Sequence, residues 1–187
     1  MTDNIKVPVS GVIRFDQTAC TGCGTCELVC SSIHGGIINP KLSCITIYID
    51  PAQCEPDHDV CRQCRYPSCL YACPSDAILV DDATGARYIE YENCTACGSC
   101  YKACPFTPDR AMIKSRVENG EENYFKCDLC RGRDEGPMCV RFCPARALVF
   151  VTATSRKKSR VQEDDAGREE VATTIAKDFF KPESQQE

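Results

Sequence analysis

Apolar positions along the chain come in short bursts separated by polar loops, and no long helical stripe is present in the first 150 or so residues. Gly11-Val-Ile-Arg-Phe15, Ile45-Thr-Ile-Tyr-Ile49 and Ala145-Arg-Ala-Leu-Val-Phe-Val151 are rich in β-branched and aromatic side chains, which predicts strands. The first and last of these are placed to pair. Cys73-Pro-Ser-Asp-Ala-Ile-Leu-Val80 and Arg87-Tyr-Ile-Glu-Tyr91 flank a turn containing Gly85, which reads as a hairpin. A second hairpin is predicted between Ala111-Met-Ile113 and Asn123-Tyr-Phe125, with Asn119-Gly120 as its turn. After Thr152 the pattern turns polar, with a basic stretch over Ser155–Arg160 and an acidic one over Glu163–Asp165. Within that tail Val171, Ile175 and Phe179 would line one face of a short helix ended by Pro182. The tail reads either as a solvated terminus or as a partner-docking helix.

These bursts make a thin core. Leu, Ile, Val and Phe account for 37 of 187 residues, and there is no Trp. A net charge of −5 is too mild to read the deficit as disorder. The chain instead has 18 cysteines, which marks a fold built on its sulfurs. The N-terminus shows no apolar export segment and no twin arginine, and no run spans a membrane, so a cytoplasmic protein without its own membrane anchor is expected. A pI near 5.2 argues against nucleic-acid binding.

Spacing separates metal ligation from disulfides. Cys20, Cys23, Cys26 and Cys30 follow C-x2-C-x2-C-x3-C, and Cys94, Cys97, Cys100 and Cys104 repeat it. Cys61, Cys64, Cys69 and Cys73 follow C-x2-C-x4-C-x3-C, and Cys127, Cys130, Cys139 and Cys143 follow C-x2-C-x8-C-x3-C. Three of these quartets end in Cys-Pro, whereas Ser31 follows the first. The repeated run is the bacterial ferredoxin signature for [4Fe–4S] clusters, in which three cysteines wrap one cube and the fourth reaches the other. Gly22, Gly24 and Gly98 let backbone amides approach the cluster. A short helix is expected to follow each fourth cysteine, with the proline at its start. A structural zinc-binding interaction module is the alternative, although four-cysteine zinc sites come as two separated pairs. Disulfides lack an oxidising compartment here.

The expected architecture is α+β, with two interleaved bacterial-ferredoxin-like modules of short hairpins and short helices around four cubane clusters. Residues 61–104 form the inner module, 11–60 with 105–151 the outer one, and 152–187 the charged tail. Nesting predicts four ligand sets: Cys61, Cys64, Cys69 with Cys104; Cys94, Cys97, Cys100 with Cys73; Cys20, Cys23, Cys26 with Cys143; and Cys127, Cys130, Cys139 with Cys30. Simple tandem pairing of the quartets is the rival. Cys44 and Cys54 fit no quartet and read as small buried hydrophobes. His34 reads as a surface or packing residue that could also reach a cluster, and His58, between Asp57 and Asp59, as solvated. Arg62, Arg65, Lys102, Arg131 and Arg141 interleave with the ligands and either offset cluster charge or sit on the surface. Nothing resembles a GxGxxG or a P-loop, and no group is needed as acid, base or nucleophile, so catalysis is expected to belong to partners. A radical-generating enzyme would need a C-x3-C-x2-C site, which does not occur.

The four quartets, with x4 in the second and x8 in the fourth, resemble the iron–sulfur electron-transfer subunits of molybdenum- and tungsten-enzyme complexes over residues 11–151. That family includes the beta subunits of dimethyl sulfoxide reductase, polysulfide reductase and formate dehydrogenase, and the resemblance implies the nested pairing. Cys20-Thr-Gly-Cys-Gly-Thr-Cys-Glu-Leu-Val-Cys-Ser-Ser-Ile-His-Gly35 further resembles the small subunits serving tungsten enzymes of the aldehyde oxidoreductase family, ATP-independent benzoyl-CoA reductases among them. The resemblance implies a four-cluster relay between a tungsten- or molybdenum-cofactor catalytic subunit and a flavin-containing subunit or ferredoxin. Formate dehydrogenase, hydrogenase and sulfur-compound reductase complexes are the alternative settings. Clusters exposed at both ends would also permit end-to-end self-association. Four oxidised clusters of about −2 each would take the working charge to roughly −13.

Overall fold

The computed structural model describes residues 8–156 apart from Pro108, Ala111 and Asn119. Along them run β1 (Val12–Phe15), α1 (Thr25–Gly35), β2 (Ile45–Ile49), β3 (Pro56–Val60), α2 (Ser68–Tyr71), β4 (Ile78–Val80) and β5 (Arg87–Ile89). There follow α3 (Ser99–Ala103), β6 (Ile113–Glu118), β7 (Glu121–Lys126), α4 (Met138–Arg141), β8 (Leu148–Val151) and α5 (Ala153–Arg156). The mixture of short helices and short strands is the α+β architecture expected of ferredoxin-like proteins. Among the described residues no helix is long and apolar enough to cross a membrane.

Every described strand belongs to an antiparallel pair: β1 with β8, β2 with β3, β4 with β5 and β6 with β7. Both expected hairpins form, and the two distant runs do pair, with Val12 opposite Val151 and Phe15 opposite Leu148. The chain thereby repeats itself. β1 leads to Cys20 as β5 leads to Cys94, and β8 follows Cys143 as β4 follows Cys73. The hydrogen bonds repeat too: Glu90 N–H donates to Ala77 O and Asp16 N–H to Ala147 O, both at 2.7 Å. In each pair the acceptor lies four residues after a fourth cysteine and the donor four before a first cysteine. The pairing of β4 with β5 is therefore matched by that of β1 with β8, two strands far apart in the sequence.

The helices sit one step earlier than expected. α1, α2, α3 and α4 each carry the third cysteine of a quartet near their start. The last three stop before the fourth cysteine. Pro74, Pro105 and Pro144 act as terminators, because the residue before a proline is pushed out of the helical region. Cys104 shows this with ψ 121.

A strand also replaces the expected polar loop over Asp57-His58-Asp59. β3 pairs with β2, and His58 is buried, stacked on Phe15 at 4.3 Å between ring centroids. Its acidic neighbours are partnered from far along the chain, since Arg110 pairs with Asp57 and lies 3.7 Å from Asp59. Cys54 is another correction: it is exposed, with φ 57, in the turn joining β2 to β3. Cys44, by contrast, is buried as expected. The basic stretch beginning at Ser155 is not wholly solvated, because Arg156 is buried and donates to Gln63 O at 3.0 Å. The tail helix expected around Val171, Ile175 and Phe179 lies outside the described residues. The main core joins Ile13, Ile45, Val60, Phe125, Leu129 and Leu148 to Cys26, Cys30, Cys61, Cys127 and Cys139.

Candidate metal centres

Each quartet opens with the same turn. The residue two after the first cysteine takes positive φ in all four: Gly22 at 68°, Gln63 at 51°, Ala96 at 54° and Leu129 at 61°. This reverses the chain so that successive sulfurs converge. Backbone amides are aimed at the sulfurs by the same loops. Gly22 N–H reaches Cys20 Sγ at 3.4 Å, Ala77 N–H reaches Cys73 Sγ at 3.2 Å, and Leu129 N–H reaches Cys127 Sγ at 3.4 Å. In the first and third quartets Gly24 and Gly98 cap α1 and α3 in the left-handed region, which glycine enters without steric penalty.

Three cavities collect the cysteines. The first is lined by Cys61, Cys64, Cys69 and Cys104. The second is lined by Cys20, Cys23, Cys26 and Cys143, and the third by Cys73, Cys94, Cys97 and Cys100. Each holds three sulfurs of one quartet and the fourth sulfur of another. The remaining Cys30, Cys127 and Cys139 pack together in the main core, and Cys130 is close enough to feel the charge of Cys30.

The donor set fits a cationic cluster core. Burial pushes the thiols of Cys26 to about 12 and of Cys100 and Cys130 to about 11, and it also raises Cys69, Cys127 and Cys139. Sulfurs so buried hold negative charge only against a bound cation, whose arrival displaces their protons. Cys23 and Cys97 differ, being exposed. The hydroxyls of Thr25 and Ser99, 3.3 and 3.4 Å away, lower their thiols.

The spare groups fall around the Cys30 set. Cys44 N–H donates to Cys30 Sγ at 3.2 Å, and the Cys44 thiol lowers Cys30 while its own is raised. His34 Nε2 lies 3.7 Å from Cys130 Sγ and 3.6 Å from Asp128. Of the five cations singled out by position, Arg62 alone lines one of the three cavities. Arg131 lies over the Tyr88 ring at 3.6 Å, Arg65 over Tyr66, and exposed Arg141 reaches Glu135. Sequence reasoning passed over two buried cations, Arg87 and Lys126, which line the cavity of Cys61. Arg87 was detectable, because strand alternation puts it on the same side as buried Ile89. Gln63, fully buried, was also missed. It accepts from Arg87 N–H and donates to Cys127 O, each at 2.7 Å, tying the second quartet to the fourth.

Repeated cysteine motifs on short strand–loop–helix units point to an iron–sulfur protein of ferredoxin type. The chain belongs to the family described as 4Fe-4S dicluster domain, which matches residues 47–153, and a 4Fe-4S binding domain matches residues 12–37. It is 36% identical over 184 residues to the aliphatic sulfonate oxidoreductase, polyferredoxin-like subunit, of Pyrococcus furiosus, covering 96% of this chain and 98% of that one. It is 31% identical over 153 residues to the electron transport protein HydN of Escherichia coli K12, covering 74% and 86% respectively. A solved structure titled as the active site complex BamBC of benzoyl coenzyme A reductase with benzoyl-CoA overlaps 75% of this chain and 78% of that one. The identity there is 25% and the TM-score 0.42, and the family assignment rests on the sequences alone. The chain is an iron–sulfur electron-transfer protein related to subunits of oxidoreductase complexes.

Proposed function

We propose that the chain carries four [4Fe–4S] clusters and relays electrons through them within a larger oxidoreductase. The observation that carries this reading is the shared lining of each cavity by three cysteines of one quartet and one of another. Nested modules, 61–104 inside 11–60 with 105–151, account for that lining, whereas tandem pairing would put Cys73 beside Cys20 or Cys104 beside Cys127. The ligand sets are Cys61, Cys64, Cys69, Cys104; Cys94, Cys97, Cys100, Cys73; Cys20, Cys23, Cys26, Cys143; and Cys127, Cys130, Cys139, Cys30.

Packing supports a linear order of the four sets. Cys100 and Cys69 pack against the small core containing Cys104, which links the Cys94 and Cys61 sets. Cys61 and Cys127 share the main core, and Cys26 lies close enough to Cys139 to raise its thiol. The order is therefore the Cys94 set, the Cys61 set, the Cys127 set and the Cys20 set. Exposed Cys97 stands at one end and exposed Cys23 at the other, where partners reach them.

[4Fe–4S] clusters supply one-electron chemistry without atom transfer. The residues hold the sulfurs, aim amides at them and keep water from the interior sites. Catalysis belongs to a partner subunit, and the name of the Pyrococcus relative, a subunit of an oxidoreductase, supports that division of labour. A tungsten- or molybdenum-cofactor enzyme in that role, with a flavin-containing subunit or ferredoxin at the other end, is what the resemblance of the cysteine quartets implies. Anaerobic purification from the native source tests this. A brown protein with about 16 iron atoms per chain that bleaches with dithionite, together with a co-purifying cofactor subunit, is expected. A colourless protein with stoichiometric zinc would end the reading. Discrete particles in microscopy, with no chains of copies, would end the end-to-end association.

A further inference from the structure

The cavity of the Cys61 set differs from the other two in its charge. Arg62, Arg87 and Lys126 line it, whereas no Lys or Arg among the described residues lines the Cys20 or Cys94 cavity. Arg87 is 1% exposed and is the largest fully buried side chain described. Its Nη1 donates to Gly85 O at 2.8 Å, while Nε and Nη2 are buried without a hydrogen-bond partner. Among the described residues no carboxylate pairs with it. The sulfurs of Cys61, Cys64 and Cys69 line the same cavity.

Lys126 is 5% exposed and stands at the junction of two sites. Its Nζ donates to the carbonyls of Arg87 and Cys127 and to the Cys61 sulfur. It lines the same cavity as Cys61, Cys69 and Cys104 and is covalently next to Cys127. Isolated buried cations are strongly unfavourable, so an anion must share their cavity. Arg87 and Lys126 together carry +2, with Arg62 at the same cavity as a third cation, opposite in sign to the charge of about −2 on an oxidised four-thiolate cubane.

Resting on the four-cluster reading above, we propose that Arg87 and Lys126 compensate the charge of the cluster held by Cys61, Cys64, Cys69 and Cys104 and keep that interior position reducible. An interior cluster takes up a further negative charge where water cannot solvate it, so burial alone would turn this position into a barrier in the relay. One electron arriving there from the neighbouring position meets positive charge already in place, and no proton need accompany it. The unpartnered Arg87 donors are the contacts that a cluster sulfur would satisfy.

The test uses the full-length protein with its clusters installed, comparing wild type with Arg87→Met, Arg87→Lys, Lys126→Met and Lys126→Arg. Iron and sulfide per chain are measured first, then each midpoint potential by EPR-monitored redox titration. A wild type without iron overturns the four-cluster reading itself. With clusters present, one midpoint is expected to fall in each Met variant while the others stay. A tenfold fall in the reduction equilibrium constant corresponds to about 59 mV for one electron. The charge-conserving variants should restore most of the shift. Met variants with full iron and unmoved midpoints would overturn the inference. Where a Met variant loses iron, retention in its charge-conserving counterpart supports compensation. Equal loss in both overturns it, because side-chain shape and not charge would then be what the site needs.

Discussion

Replacing Gln63 by alanine breaks the polar joint between the second quartet, β5 and the fourth quartet. The side chain is fully buried and makes three hydrogen bonds, accepting from Arg87 N–H at 2.7 Å and donating to Cys127 O at 2.7 Å and Arg87 O at 3.5 Å. Lys126 still donates to both carbonyls, so the orphan left behind is the Arg87 N–H, with the weakened carbonyls a smaller loss. An unsatisfied buried backbone group costs about 1–3 kcal/mol, and the cavity left by the missing methylenes adds about 1 kcal/mol. Gln63→Ala is therefore expected to destabilise by roughly 2–4 kcal/mol. At about 2–4 °C per kcal/mol for a chain of this size, thermal unfolding should move down by roughly 4–16 °C. The informative comparison is Gln63→Gly. Gln63 sits at φ 51°, where a side chain costs about 1–2 kcal/mol and glycine is free of that strain. Glycine should thus be the milder substitution by about 1 kcal/mol, the reverse of its usual standing against alanine. Anaerobic unfolding at fixed scan rate, followed by cluster absorbance and far-ultraviolet dichroism together, provides the readout. An alanine variant within about 0.5 kcal/mol of wild type, or a glycine variant clearly worse than alanine, would refute the reasoning.

Gly24→Ala and Gly98→Ala both force alanine into the left-handed region, at about 1–2 kcal/mol each. A Cβ at Gly98 would stand 2.7 Å from Tyr124 Oη, while at Gly24 the nearest atom is 3.4 Å away. Gly98→Ala should therefore unfold at the lower temperature, and adding Tyr124→Phe should narrow the gap between the two. Burial, followed by the charge of Arg62, pushes His58 down to about 4, against an unfolded value near 6.5. Its neutral form is favoured in the fold, so this contribution is fully present above about pH 6.5 and is lost as pH falls towards 4. The loss amounts to roughly 3 kcal/mol. A His58→Phe variant should show a flatter stability profile across that window, and a parallel profile would remove His58 as the cause. Cys44→Ala should keep all its iron, since Cys44 donates to Cys30 without belonging to a set, whereas Cys30→Ser should lose or destabilise one cluster. Equal iron loss in the two variants would make Cys44 a ligand.

The strands Val12–Phe15, Ile45–Ile49 and Leu148–Val151, within the runs expected at 11–15, 45–49 and 145–151, were legible from their own apolar patterns, and both hairpins from theirs together with a turn residue. The quartets were legible for a different reason: metal ligation fixes spacing along the chain, and spacing survives in one dimension. What stayed hidden depends on partners distant in sequence. Asp57-His58-Asp59 looks like a loop until Arg110 and the Phe15 ring supply its neighbours. The helices were displaced because Cys-Pro was read as a start. Proline restrains the residue before it more than it promotes the turn after it, so the fourth cysteine ends each short helix. Lys126 was hidden most deeply, and Arg87 showed only through its alternation with Ile89, since nothing in the sequence balances either charge. An arginine inside a strand is ordinarily placed at the surface, and its alternation with Ile89 is overruled by its charge. If Arg87 and Lys126 compensate a cluster as proposed, the partner of a buried cation need not be a residue. The rule that buried charge needs a neighbouring carboxylate must therefore include the cofactor's own charge, and a basic residue in phase with a buried strand position beside a cysteine quartet should be read as facing the cluster.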